Sequence, residues 1–180
     1  MTNALAPFTL KGFYLLTWGT ALGTNAWHLV SSHKAYTTLD RESFSHLQAS
    51  MHPAYFGTST LLSGALLATH LYFHPVLLRR AAWWGLEEGV QGLLILGAFV
   101  PQLINWVAVG PRAIRLLYER HRAERSGKVA VSENVGVADP QPAQDVAAAN
   151  SAFSTIHGVS STLNLVSGLS LAALGLAVSM

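Results

Sequence analysis

The sequence predicts an all-α fold, a bundle of four transmembrane helices, and two observations carry that prediction. Of 180 residues, 51% are apolar and 11% are charged, with a mean hydropathy of +0.34; about a quarter of the residues carry charge in a soluble domain. The few charges are also segregated. No Asp, Glu, Lys or Arg occurs in residues 12–33, 43–78, 89–111 or 146–180, and each gap can hold the roughly 20 residues that cross a hydrocarbon core. Helices are preferred to strands because an open sheet leaves backbone polar groups unsatisfied in lipid, and the runs lack period-two alternation.

The spans are placed at residues 12–30, 53–73, 85–106 and 156–178. The first follows only Lys11, exceeds the apolar core of a signal peptide and lacks a small-x-small cleavage site, so it is expected to stay in the mature chain. Tyr14, Trp18, Trp27, Tyr72, Trp83, Trp84 and Trp106 fall near span ends, where an aromatic ring can face tails and its polar edge the headgroups. Gly19 with Gly23, Gly85 with Gly89, and Gly168 with Ala172 form small-xxx-small pairs that let helices approach closely.

Between the third and fourth spans the chain changes character. Residues 111–126, PRAIRLLYERHRAERS, read as a basic juxtamembrane helix: Pro111 suits a first turn, and Glu119 and Glu124 can pair with neighbouring arginines at helical spacing. Arg112, Arg115 and Arg122 are candidate contacts to anionic lipid or to a partner. Residues 127–150 turn to Gly, Pro, Ala, Asp, Gln and Ser without apolar period and are expected to be a flexible linker. The whole chain is expected to be one membrane domain. Lys11, Arg79 and Arg80 lie on the side of the termini, against Lys34, Arg41, Arg112, Arg115, Arg120, Arg122, Arg125 and Lys128 on the other, so the positive-inside rule places both termini on the non-cytoplasmic side.

Several chemistries are excluded or unsupported. A net charge of +2 is no nucleic-acid footprint, and with no Cys there is no disulfide, thiolate nucleophile or iron–sulfur ligand set. His70 and His74 stand at i,i+4, but the intervening HLYFH lacks the carboxylate of a zinc-protease motif. No phosphate loop, dinucleotide fingerprint or nucleophile elbow is present. The expectation is no cofactor, no metal and no recognisable catalytic motif.

Polar residues inside the apolar windows are the candidates that remain. Gln91, Asn105, Ser160, Ser161 and Asn164 carry groups that lipid cannot satisfy, and His157, Ser161, Asn164 and Gly168 share one helical face, expected to point inward. Glu88, beside Glu87 at the start of the third span, is a candidate intramembrane carboxylate. These residues form either a closed interhelical core or a polar route.

Three blocks, SFSHLQASMHPAYF from Ser43, NWVAVGPRAIRLLYERHRAERS from Asn105 and FSTIHGVSSTLNLVSGLSL from Phe153, give the chain a further likeness. Through them it resembles the transmembrane protein 205-like family of small four-span eukaryotic membrane proteins. It departs at Met51-His52, where relatives usually carry aromatic character, and in its Ala- and Val-rich linker. The resemblance implies an integral membrane protein associated with cellular resistance to platinum drugs, compatible with transport or trafficking. It directs attention to Gln48, Asn105, His157 and Asn164. Two functional expectations follow: a membrane scaffold or assembly and trafficking factor that contacts lipids, a membrane-protein partner or a second copy, and alternatively a small-molecule or ion transporter.

Overall fold

The computed structural model describes residues 9–78, 86–133 and 140–179. Arg79, Arg80, Trp83, Trp84 and Gly85, singled out above, lie outside the described residues, as does the side chain of Lys128. The regular elements among the described residues are all helical: α1 (Leu10–Thr38), α2 (Arg41–Phe73), a 3-10 turn (Pro75–Leu78), α3 (Glu87–Ile104), a π turn (Asn105–Val109), α4 (Gly110–Glu133) and α5 (Pro140–Ser179). The π turn joins α3 to α4 without a break, so the chain forms four long rods.

Local chemistry explains where the rods begin. The Thr9 hydroxyl accepts from the Gly12 amide at the head of α1, and the Asp40 carboxylate accepts from the amides of Glu42 and Ser43 at the head of α2. Those bonds satisfy amides that have no partner within a helix, and the Ser43 contact above all holds the Asp40 carboxyl below its ordinary range. Only Leu39 and Asp40 separate the two rods, and Tyr36 meets Phe44 edge-on across the turn, 5.5 Å between centroids.

Two expectations about boundaries need correction. The helices overrun the expected spans 12–30 and 53–73, because a charged residue ends an apolar window without ending a helix, and Lys34, Arg41 and Glu42 all lie within helices. The stretch 127–150, expected as a flexible linker, is helical at 127–133 and 140–150. Its alanines favour helix and Pro140 suits a first helical position, so absence of an apolar stripe did not mean absence of structure.

Glu87–Ser126 and Gln144–Val178 contain windows long and apolar enough to cross a membrane. A soluble protein's core helix would be mostly buried, yet only 17% of the α5 window is. The rods α1 and α2, of 29 and 33 residues, have the length but are more polar. Much of that polarity is answered locally: Thr20, Thr60, Ser63 and Thr69 each donate to a carbonyl one turn back on their own helix.

Successive rods run antiparallel. His28 on α1 stacks on Tyr55 of α2, Trp106 packs against Gly57, and the Trp18 indole N–H donates to the Leu171 carbonyl of α5 at 2.9 Å. The apolar core is small: Ala21, Leu66, Ile95, Ala98, Leu171 and Leu174, flanked by Tyr14, Trp18, Leu22, Leu62, Leu67 and Leu94. Around it the usual order of a soluble protein is reversed. Leu16, Leu61, Val107 and Leu169 are over 60% exposed, whereas Ser63, Gln102, Asn105 and Ser167 are at most 1% exposed.

Candidate functional site

The buried polar residues converge on Asn164. Its side-chain oxygen accepts from the Tyr55 hydroxyl at 2.6 Å, the Gln102 amide at 2.9 Å and the Asn25 amide at 3.4 Å. One acceptor therefore ties α5 to α2, α3 and α1. Gly168, one turn along α5, makes room for this: a Cβ there would stand 2.7 Å from the Asn25 side-chain oxygen.

The node belongs to a longer seam between α3 and α5. Gln91 donates to the Ala177 carbonyl, Ser167 to the Ala98 carbonyl, Gln102 to Asn164, and Asn105 to the Ser160 carbonyl. Gln91, Ala98 and Asn105 are seven residues apart, the spacing that keeps two nearly antiparallel helices in register. In lipid such bonds replace the hydrophobic drive that would join helices in water. Asn105 opens the π turn, and the Gly110 amide donates to its backbone carbonyl, five residues back. Gln102 and Asn105 each use their amide N–H on α5, which leaves Gln102 Oε1 and Asn105 Oδ1 buried without a hydrogen-bond partner in the protein.

A second polar cluster sits where α4 leaves the bundle. Arg41 pairs with Glu124 at 2.7 Å, and buried Arg120 lies 3.9 Å from the same carboxylate, with its guanidinium 4.4 Å from the centre of the Phe153 ring. Arg120 also donates to Ser45 at 3.4 Å and approaches His121 Nε2 at the same distance. Burial, then the Arg41 charge, lowers the Arg120 pKa against Glu124; burial, then the Arg120 charge, pushes His121 below its ordinary range.

The other sequence candidates are distributed as follows. Asn164, Asn105 and Gln91 join the seam. His157 and Ser161 are exposed on α5, while Ser160, Ser167, Leu171 and Leu174 are buried, so the inward face is turned from the one expected and Asn164 sits at its edge. His157 stacks with Phe153 at 5.6 Å between centroids. Gln48 is half-buried on α2, away from Asn164, and its Oε1 has no hydrogen-bond partner. Glu88 takes part through its backbone carbonyl, which accepts from His70 Nε2 at 2.8 Å. Arg112, Arg115 and Arg122 are exposed on α4. Asn25 and Gln102 escaped the sequence reading although both are amides inside charge-free windows, the signal that singled out Asn105 and Asn164. Arg120 and Glu124 meet at the helical spacing expected of them, but the pair packs against Arg41 and Phe153 of other rods.

The small-residue pairs differ among themselves. Gly168 meets Asn25, whereas Gly19 and Gly23 face open space, with nothing within 4 Å of a built Cβ. Among the described residues no group of three or more His, Asp or Glu is arranged to hold a metal ion. A cleft of about 300 Å³ between α1 and α5 is lined by Tyr14, Leu15, Trp18, Leu174, Gly175 and Val178, and is apolar.

An all-helical bundle with amides inside and leucines outside suggests a membrane protein. Residues 16–122 match the family described as a domain of unknown function (DUF4149), and the chain belongs to that family. No curated protein and no solved structure matches the chain significantly.

Proposed function

We propose that the chain is an integral membrane protein whose four rods all cross the bilayer and whose role is that of a scaffold or an assembly and trafficking factor. One observation carries this reading: side-chain donors from Asn25, Tyr55, Gln91, Gln102, Asn105 and Ser167 are each engaged across a helix interface. Asn164 takes donors from three helices, and three further side chains close the α3–α5 seam. A carrier needs polar groups that exchange partners with a substrate, whereas these are engaged in holding helices together. The exposed apolar belt supports spanning, since lipid tails satisfy Leu, Val and Trp at no cost. On this reading the termini lie on the non-cytoplasmic side, and the likeness to the transmembrane protein 205-like family extends through all four rods.

The transporter reading draws on Gln102 Oε1 and Asn105 Oδ1, buried acceptors beside the node that have no hydrogen-bond partner in the protein. The two functions separate in reconstituted vesicles. The scaffold reading expects no saturable, protein-dependent flux of ions or small solutes; a flux that disappears in Asn164→Ala while the variant stays folded overturns it. It also expects membrane-partner capture to be lost on charge reversal at Arg112, Arg115 and Arg122 without loss of insertion, and unchanged capture would count against it.

A further inference from the structure

We infer that the chain carries a collar of basic side chains at one membrane face, Lys34 and Arg112 with Arg115 at its outer edge, that binds the headgroups of anionic phospholipids. The inference rests on the membrane reading above and names one of its partners.

Contacts between rods define a common layer. His28 stacks on Tyr55 at 3.7 Å, a Cβ on Gly57 would stand 3.2 Å from the Trp106 indole nitrogen, and Asn105 donates to the Ser160 carbonyl. His28, Tyr55, Trp106 and Ser160 therefore lie at about the same depth. Trp27 and Trp106 are 70% and 40% exposed at this layer, as ring systems are at the boundary of a hydrocarbon core.

The rise of about 1.5 Å per residue then ranks the charges by height. Lys34 is six residues beyond His28, and Arg112 six beyond Trp106, so both stand about 9 Å past the layer. Arg115 stands about 13 Å past it, and Arg122 and Arg125 about 24 and 28 Å. Headgroups occupy roughly 5–8 Å on each side of the core, and flexible stems let Lys and Arg reach back toward them. Lys34, Arg112 and Arg115 are all exposed, and among the described residues none of their side chains has an ion-pair partner.

No acidic group shares that height. The nearest carboxylates, Asp40, Glu42, Glu119 and Asp145, lie about 18–22 Å past the layer, about 9 Å or more beyond Lys34 and Arg112 and about 6 Å beyond Arg115, and none forms an ion pair with the three. Arg41 and Arg120, by contrast, are answered within the protein by Glu124. At the opposite end the sequence places Lys11, Arg79 and Arg80 on the same side as Glu87 and Glu88. The three exposed side chains thus place unpaired positive charge at headgroup height on this face, which fits phosphate-bearing anionic lipid.

The test is lipid selection by the full chain in nanodiscs of equal phosphatidylcholine and phosphatidylglycerol, read by native mass spectrometry of the lipids that leave with the protein. Phosphatidylglycerol should be enriched in the wild type, with the enrichment falling about fivefold per basic residue removed in K34Q, R112Q and the triple K34Q/R112Q/R115Q. The outer pair R122Q/R125Q should keep it, and high salt should abolish it. Absence of enrichment in wild type, or equal loss in the outer pair, overturns the collar while leaving insertion intact. A chain that fails to float with lipid overturns instead the membrane reading beneath it.

Discussion

The Asn164 node and the Arg120 cluster solve the same problem, burial of polar groups between helices, with different chemistry. The node uses neutral amides and a phenol; the cluster, a few turns further along α4, uses two arginines, a glutamate and a histidine. The difference follows the dielectric. An amide pair costs little to desolvate once bonded, whereas an ion pair must recover several kcal/mol per charge. Charge is therefore confined to the part of the bundle beyond the apolar windows, where water reaches Arg41 and Glu124, with 62% and 23% of their side-chain surface exposed.

Substitutions can break this contrast. The largest effect is expected at Asn164→Leu, which strips the acceptor from Tyr55, Gln102 and Asn25 at once. Three membrane hydrogen bonds at about 0.6 kcal/mol each give about 2 kcal/mol, read as a lower thermal midpoint in detergent. Gly168→Ala should follow at about 1–2 kcal/mol, because its Cβ drives Asn25 off the node. Gly158→Ala, with open space around it, should be neutral or stabilising by up to about 1 kcal/mol. Equal losses at the two glycines would remove the packing argument.

At the cluster, Arg120→Gln should cost about 1 kcal/mol, chiefly through the lost contact with Phe153. The smallest effect is on pH. His121, faced by Arg120, Glu124, His46 and Glu42, has a folded-state pKa below its ordinary 6.5. It takes up a proton on unfolding, so its contribution is complete above about pH 6.5 and is lost as pH falls through the lower folded value. The midpoint should drop as pH falls below about 6.5, and His121→Asn should flatten that drop. An unchanged slope in the variant would place the titration elsewhere.

Much of the fold was legible because the long charge-free runs fall on the packed segments of the four rods. Rod ends were not legible in that way, since Lys34 and Arg41 end a window yet suit a helix. The site was half legible. Asn164 and Asn105 announce themselves as amides among apolar neighbours, but their partners lie on other rods, and Asn25 and Gln102 carry the same signal at no fixed spacing. On α5 the spacing of His157, Ser161, Asn164 and Gly168 predicts an inward face that overlaps the buried one only along its Asn164 edge. The buried Ser160, Ser167, Leu171 and Leu174 mark the true stripe.

Because the chain has no Cys, single cysteines can be spin-labelled without background at Leu16, Leu61, Val100 and Leu169, all exposed and one on each rod, in lipid vesicles. Collisions with dissolved oxygen should dominate at all four sites and collisions with a water-soluble nickel chelate should be rare. Free access of the nickel chelate to these positions would contradict an apolar exterior bathed in lipid.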